Sequence, residues 1–381
     1  MKRKILTIVF SLLAIVLLLQ LIGSLLVRFG FQPYYIQSDG NGIKIVRGNI
    51  DPRSFPTLEP GVTPSLKEDA APVIIDTDMA GDDWMAILFL LQRPDVNVLA
   101  ITVTGTGEAH CGPGIRHGLD LVMLTGRPQI PVTCGRELPL AGNHAFPMEW
   151  RNGVDNLFDL SLPRNPNAPS NESAPKLIVR LIQESSKKVH IIALGPLTNI
   201  AEAIEIDPTF VQNLQMLTIM GGSVKVPGNV GPIMNIDNQY AEWNIYADPH
   251  AAKVVFASVT PITLVPLDAT QYAPATMDFY NRMENDRDTP AAEFVYRILT
   301  QTENDIRQGW YYFWDPLSAA IATEESLANF ENLQLIVIED EGPDSGRTVE
   351  SNDGQMIRVA TWADPARFEK LFLDTLNGRL P

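Results

Sequence analysis

Two cysteines, Cys111 and Cys134, are all that this 381-residue chain contains. That excludes a cysteine-rich scaffold and allows at most one disulfide; a single bridge and two buried thiols both fit the sequence. Neither cysteine follows the apolar N-terminal segment, so there is no lipid-bearing cysteine. Basic residues are also scarce, with 29 Lys and Arg against 45 Asp and Glu, for a net charge of −16. Lys2, Arg3, Lys4 and Arg28 fall in a leading segment without any acid, so residues 29–381 carry −20. A body this acidic is a poor partner for nucleic acid or polyphosphate. No internal repeat of about 20 to 50 residues is found, which argues against a solenoid. The 45% hydrophobic and 19% charged content is ordinary for a globular protein with a large core.

The longest apolar run is N-terminal. Ile5 to Val27 is interrupted only by Thr7, Ser11, Gln20, Gly23 and Ser24, and it follows Lys2-Arg3-Lys4. A transmembrane helix needs about 20 such residues; the apolar part of a cleaved signal peptide is usually about 7 to 15 residues and ends in a small-x-small site. Residues 1–28 therefore read as an uncleaved signal anchor, with the basic end in the cytoplasm and the body outside. If the segment is cleaved, the body is secreted. Residues 29–70 contain Pro33, Gly40, Gly42, Pro52, Pro56, Pro60 and Pro64 with little helical periodicity, the pattern of a stalk or short hairpin linker. Residues 71–381 suffice for one large domain.

Within that domain strands and helices alternate. Val73 to Ile75 leads into a helix over Trp84 to Gln92, followed by strand Val96 to Thr104, helix Gly114 to Thr125 and strand Ile130 to Thr133. After a Pro-, Asn- and Gly-rich stretch from Gly135 to Ser173, which has the character of a lid or binding loop, the rhythm resumes. Helix Lys176 to Ser185, strand Val189 to Leu194, helix Leu197 to Ile204 and strand Leu214 to Met220 are expected there. The C-terminal third reads as helix Asp248 to Ala257, strand Ile262 to Pro266, helices Met277 to Glu284 and Ala291 to Gln308, strands Leu333 to Glu339 and Met356 to Ala360, and helix Pro365 to Leu376. This is the pattern of an α/β fold, a mainly parallel central sheet flanked by helices.

Where the first of these strands ends, Asp76, Asp78, Asp82 and Asp83 fall within eight positions. Asp is common in turns and at helix starts, which accounts for Asp82 or Asp83 alone. Four carboxylates this close repel one another, and burying them without a cation is costly; a hard divalent ion accepts oxygen ligands from several at once. The carboxyl end of a parallel strand is also where α/β sheets place ligands.

The spacing D-x-D-x-x-x-D-D after a hydrophobic strand resembles the signature of the inosine-uridine-preferring nucleoside hydrolase family, calcium-dependent enzymes that cleave the N-glycosidic bond of ribonucleosides. The family's usual Pro-Gly is here Met79-Ala80, with Gly81 one place late. Further segments match, so the resemblance covers roughly residues 70 to 376. Ile192 to Asn199 is similar to a strand-to-helix loop whose carbonyl before the Gly, here that of Leu194, ligates calcium. Met220-Gly221-Gly222, Asn229 and Ala241 to Pro249 resemble the sugar-binding segment, in which Glu242 and Asn244 on one side of an extended stretch would bind ribose hydroxyls. Extra residues between Pro232 and Tyr240 leave Asn235 and Asn238 as rivals to Asn229. Phe313 to Leu317 matches the last metal-binding Asp, Asp315, with Trp314 replacing a frequent His. Thr106 stands where the family commonly has Asn, and Glu108 and His110 follow as additional candidates for the pocket or as helix caps.

The resemblance implies a single nucleoside-hydrolase-like domain in which Asp78, Asp83, Asp315 and the Leu194 carbonyl hold Ca²⁺. Asp82 would be the general base toward a calcium-bound water. Asn229, Glu242 and Asn244 would orient the sugar, and Trp314 would stack on the base. The implied ligand is a small nucleoside, with self-association left open. Protonation of the leaving base, without the His, could come from Glu108, His110 or solvent. A membrane-tethered nucleoside-binding protein without turnover is the alternative; the intact Asp82 argues for chemistry. A phosphatase of the DxD type is disfavoured because the first basic residue after Asp83 is Arg93.

Overall fold

The computed structural model describes residues 34–38, 43–47, 55–62, 64–258 and 260–380. The proposed anchor, Ile5 to Val27, lies outside the described residues. Among the described residues no helix is long and apolar enough to cross a membrane. The chain divides into two compact units, Met1–Phe55 and Pro56–Pro381. In the first, β1 (Tyr34–Ser38) and β2 (Ile43–Arg47) pair antiparallel, from Tyr34 opposite Arg47 to Ser38 opposite Ile43. Residues 56–70, read as linker from sequence, belong to the second unit. The Gly61 N–H donates to the Leu124 carbonyl at 2.7 Å, the Lys67 N–H to that of Pro94 at 2.8 Å, and Arg297 to that of Pro56 at 2.5 Å.

The second unit is built on a nine-stranded sheet. Its strands are β3 (Ala71–Thr77), β4 (Val96–Val103), β5 (Val132–Cys134), β6 (Val189–Ala193), β7 (Leu214–Met220), β8 (Ile262–Val265), β9 (Ala328–Val337), β10 (Thr348–Glu350) and β11 (Gln355–Ala363), in the spatial order β10-β9-β11-β8-β7-β6-β3-β4-β5. From β11 to β5 neighbours run parallel, while β9 is antiparallel to both β11 and β10. The chain winds from β3 outward to β5, then returns to β6 on the other side of β3. That reversal opens a crevice at the carboxyl ends of β3 and β6, the place where such sheets bind ligands.

Fourteen helices connect and cover the strands: α1 (Gly81–Leu91), α2 (Cys111–Leu124), α3 (Met148–Asp155), α4 (Ala174–Glu184), α5 (Thr198–Ile206), α6 (Val230–Met234), α7 (Trp243–Ala247), α8 (Pro249–Ala257), α9 (Leu267–Thr270), α10 (Met277–Glu284), α11 (Pro290–Gln301), α12 (Glu303–Gln308), α13 (Trp314–Thr323) and α14 (Pro365–Leu376) among the described residues. Strand β3 is apolar on both faces, and Val73, Ile74 and Ile75 are buried, as a central parallel strand requires. Helix α1 is apolar all round from Trp84 to Leu91 because it is enclosed by other helices, among them α11, α13 and α14. The disulfide Cys111–Cys134, with Cα atoms 5.6 Å apart, ties the start of α2 to the end of β5.

The helix expected over Ala291 to Gln308 is two, broken at Thr302, whose hydroxyl turns back to the Ile298 carbonyl at 3.1 Å. Strand β9 starts at Ala328 rather than Leu333, and β10 was not foreseen. Both lie toward one edge of the sheet; the early part of β9 is half-exposed and mostly polar, so no run of apolar residues marks it.

Candidate active site

Strand β3 delivers the acidic run directly into the crevice. Asp76, still on the strand, is fully buried and accepts from the Thr102 hydroxyl at 2.6 Å and the Asn199 amide at 2.8 Å, so it braces the strand ends behind the site. The chain then turns through Met79, which is buried in the left-handed region at φ 63°. A non-glycine residue there is strained, a feature that collects at functional sites. The Thr77 hydroxyl holds the turn, accepting the Met79 N–H at 3.0 Å and donating to Asp83 Oδ1. Asp83 also accepts the Asp78 N–H at 3.2 Å and the Ala80 N–H at 3.1 Å. The glycine displaced to position 81 has a local cause: a Cβ there would come within 2.7 Å of the Phe158 ring.

Helix α13 packs beside α1 and brings Asp315 in its first turn to meet Asp82 and Asp83 in the first turn of α1. The helix-capping position is Phe313, not Asp315. One oxygen from each of Asp82, Asp83 and Asp315 lies within 4.8 Å of the others. Asp78 adjoins them and accepts the Glu108 N–H at 3.1 Å. Its surroundings are glycines for a reason: a Cβ on Gly107 would fall 2.2 Å from Asp78, and one on Gly195 2.8 Å from it. Gly195, at the end of β6, thus packs directly against Asp78. Two helix N-termini directed at the cluster favour negative charge there.

Even so, the cluster is held far from its ordinary protonation. Burial, followed by repulsion from neighbouring carboxylates, raises Asp82 and Asp83 to about 7. Burial alone lifts Asp76 to about 7 against its hydrogen bonds to Thr102 and Asn199. Asp78, Asp315 and Glu108 are pushed well above the carboxylate range by the same two causes, burial first. The buried Asp315 Oδ1 has no hydrogen-bond partner. Crowded hard oxygens, an unpartnered buried carboxylate oxygen and mutual repulsion fit a divalent cation, whose charge removes the repulsion.

A stability consequence follows. Groups raised from 3.8 to about 7 favour the folded state fully below the lower value and lose that contribution as pH rises through the upper one. Chelated protein is therefore expected to melt at a progressively lower temperature from about pH 4 to 7, with the titration belonging to the cluster as a whole. Excess divalent cation should flatten the profile. A melting temperature of chelated protein that rises or stays level across this window contradicts the reading.

The sugar-binding candidates lie on the β6–β7 side of the crevice, in a conformation that differs from expectation. Glu242 and Asn244 are not on an extended stretch: residues 243–247 form α7, and Glu242 is its N-cap. The Glu242 carboxylate accepts the N–H groups of Asn244 at 3.0 Å, Ile245 at 3.3 Å and Gly222 at 2.8 Å. Asn244 donates to the Leu194 carbonyl at 2.9 Å and to that of Met220 at 3.2 Å, placing the segment against the metal-ligand candidate. Of the three upstream asparagines, Asn238 is engaged with Ser345, Tyr240 and Ala241, and Asn235 is exposed. Asn229 keeps a buried side-chain oxygen without a partner.

On the β4 side, Glu108 faces Asp78 and Asp82. His110 does not reach the cluster through its paired nitrogen: Nδ1 bonds Asp155 at 2.7 Å and its N–H bonds the same carboxylate at 2.9 Å. Thr106 joins a buried hydroxyl chain, 2.8 Å from Thr104 and 2.9 Å from Thr198, which reaches Asp248 at 2.8 Å. The stretch 135–173 packs over both ends of the site. Phe146 and Trp150 lie on Trp243 with ring centres 5.0 and 5.4 Å apart, and Phe158 lies 5.0 Å from Trp84. Trp314 is half-buried between Tyr311 and Tyr312. Two participants escaped the sequence reading, the Thr77 hydroxyl on Asp83 and the Tyr311 hydroxyl, which burial, with the surrounding carboxylates, keeps protonated.

The fold and the site define an α/β enzyme framework with a crowded carboxylate cluster at the switch point of its sheet. The chain belongs to the inosine-uridine preferring nucleoside hydrolase family, whose model matches residues 73–370. Over 198 residues it is 38% identical to Uridine nucleosidase 1 of Arabidopsis thaliana, a match covering 52% of this chain and 56% of that one. Over 327 residues it is 28% identical to Probable uridine nucleosidase 2 of the same plant, covering 81% and 98%. The solved structure of a plant nucleoside hydrolase, the PpNRh1 enzyme, is similar with a TM-score of 0.73 at 28% identity, covering 81% of this chain and 99% of that one.

Proposed function

We propose that this protein hydrolyses the N-glycosidic bond of ribonucleosides, releasing free base and ribose. The observation that carries the proposal is the convergence of Asp82, Asp83 and Asp315 on one point of the crevice, with Asp78 adjoining them and the Asn229 side-chain oxygen buried and unpartnered on the segment that bears the sugar-binding candidates. Asp78, Asp83, Asp315 and the Leu194 carbonyl would hold Ca²⁺, which supplies Lewis acidity to a coordinated water and an anchor for the ribose hydroxyls. Asp82 takes the water proton; it is half-buried and so is open to a water in the crevice. Asn229, Glu242 and Asn244 orient the sugar, a contribution made through positioning. Uridine is the first substrate to try, given the names of the relatives. Base release across purine and pyrimidine ribosides, with cation and with chelator, tests the reading.

The N-terminal run behind Lys2-Arg3-Lys4 supports a second element of the proposal, that residues 1–28 anchor the chain with the enzyme outside the membrane. A chain beginning at residue 30 should then be soluble and fully active. Recovery of the native protein in soluble form, shortened at its N-terminus, would instead establish a cleaved signal.

A further inference from the structure

The hydroxyl of Tyr311 is buried and has no hydrogen-bond partner. The residue is held by other means. Its carbonyl accepts the Ala275 N–H at 2.9 Å, Tyr312 bridges to Pro274, and its ring meets the Trp314 ring edge-on at 5.7 Å. The hydroxyl therefore contributes nothing to folding, although leaving it without a partner is costly. Its placement is specific. A Cβ on Gly81 would sit 3.3 Å from the Tyr311 oxygen, so the hydroxyl lies over the first turn of α1, one residue from Asp82. The charges that act on it most, from Asp82, Glu108, Asp315 and Asp83, are all negative. A neutral phenol in such surroundings is a donor, and no acceptor in the protein takes its proton.

The sides of the crevice indicate what does. Glu242 and Asn244 are fixed on the Leu194 and Met220 side, while Tyr311 and Phe158 close the Gly81 side. A ribose held on the first side would present its base to the second. The residue at the position where the family often carries His is Trp314, whose indole N–H is no substitute for a protonated imidazole. We propose that the Tyr311 hydroxyl donates a hydrogen bond to the departing base, at an oxygen or nitrogen beside the glycosidic nitrogen. This rests on the hydrolase reading above. In the reaction the water oxygen bonds to C1′, the C1′–N bond breaks with its electron pair passing to the base, and Asp82 holds the water proton that finally neutralises the base. Tyr311 keeps its own proton throughout and lowers the charge on the leaving nitrogen.

The test compares wild type and Tyr311→Phe on uridine and on para-nitrophenyl β-D-ribofuranoside, whose nitrophenolate leaves without help. Loss of one donor to developing charge predicts a fall of about 10²-fold in kcat for uridine, with nitrophenyl riboside turnover and melting temperature nearly unchanged. Equal losses on both substrates, or no loss on uridine, overturn the proposal while leaving the hydrolase reading intact. Wild-type inactivity on both substrates overturns the hydrolase reading and this proposal with it.

Discussion

Asp82→Asn is expected to lower kcat by about 10² to 10⁴-fold while leaving KM for the nucleoside close to its wild-type value. Asn preserves the size of the side chain and its place in the first turn of α1, but it cannot accept a proton from water. Asp82 is the member of the α1 pair that remains half-exposed. Asp83, beside it, is fully buried and bound by Thr77, Ala80 and the Asp78 N–H. Asp83 is thus fixed in place within the carboxylate cluster, and Asp82 is open to the crevice. A fall in kcat and kcat/KM together marks an interaction made only in the transition state. Steady-state kinetics decides: unchanged kcat, or a loss confined to KM, removes Asp82 from the role of base.

Asp78→Ala should fail in a different way, with cation affinity, nucleoside affinity and activity lost together. Asp78 is buried against Gly107 and Gly195 and accepts the Glu108 N–H. Its removal empties the point where β3, the 104–110 loop and the end of β6 meet. Chelation of the wild type should reproduce the loss of activity. A cation bound only by the folded protein adds about 2.7 kcal/mol at a hundredfold excess over Kd, so readdition should also raise the melting temperature. Calorimetric titration of Ca²⁺ into both proteins measures the first effect directly. Full turnover by rigorously cation-free wild type would contradict it.

The parts of this architecture that sequence made legible are those that follow from periodicity and charge. Central strands such as β3 and β6 are continuous apolar runs, and the carboxylates follow β3 at a spacing that few structural roles demand. The α7 segment was not legible because Glu242 and Asn244 are two residues apart, a separation that fits a strand or the first turn of a helix. Glu is also an uncommon N-cap, so the usual signal was missing. The edge strand β10 carries three residues and only one buried side chain, too little to register as alternation. Tyr311 stands in the run Trp310-Tyr311-Tyr312-Phe313-Trp314, where nothing in the sequence singles it out. Its distinction is the unpartnered hydroxyl above Gly81, which depends on the meeting of two segments 230 positions apart in the chain. The same contact explains why the glycine stands at position 81, a departure that sequence could record without giving its cause.

The most direct test is to incubate the wild-type protein with uridine and Ca²⁺ and to measure free uracil and reducing sugar in the same samples, alongside calorimetric binding of uridine. Uracil and ribose accumulating in equal amounts over many turnovers, and ceasing with chelator, is the predicted result. Saturable uridine binding with no uracil released would contradict it and identify a nucleoside-binding protein built on a hydrolase framework.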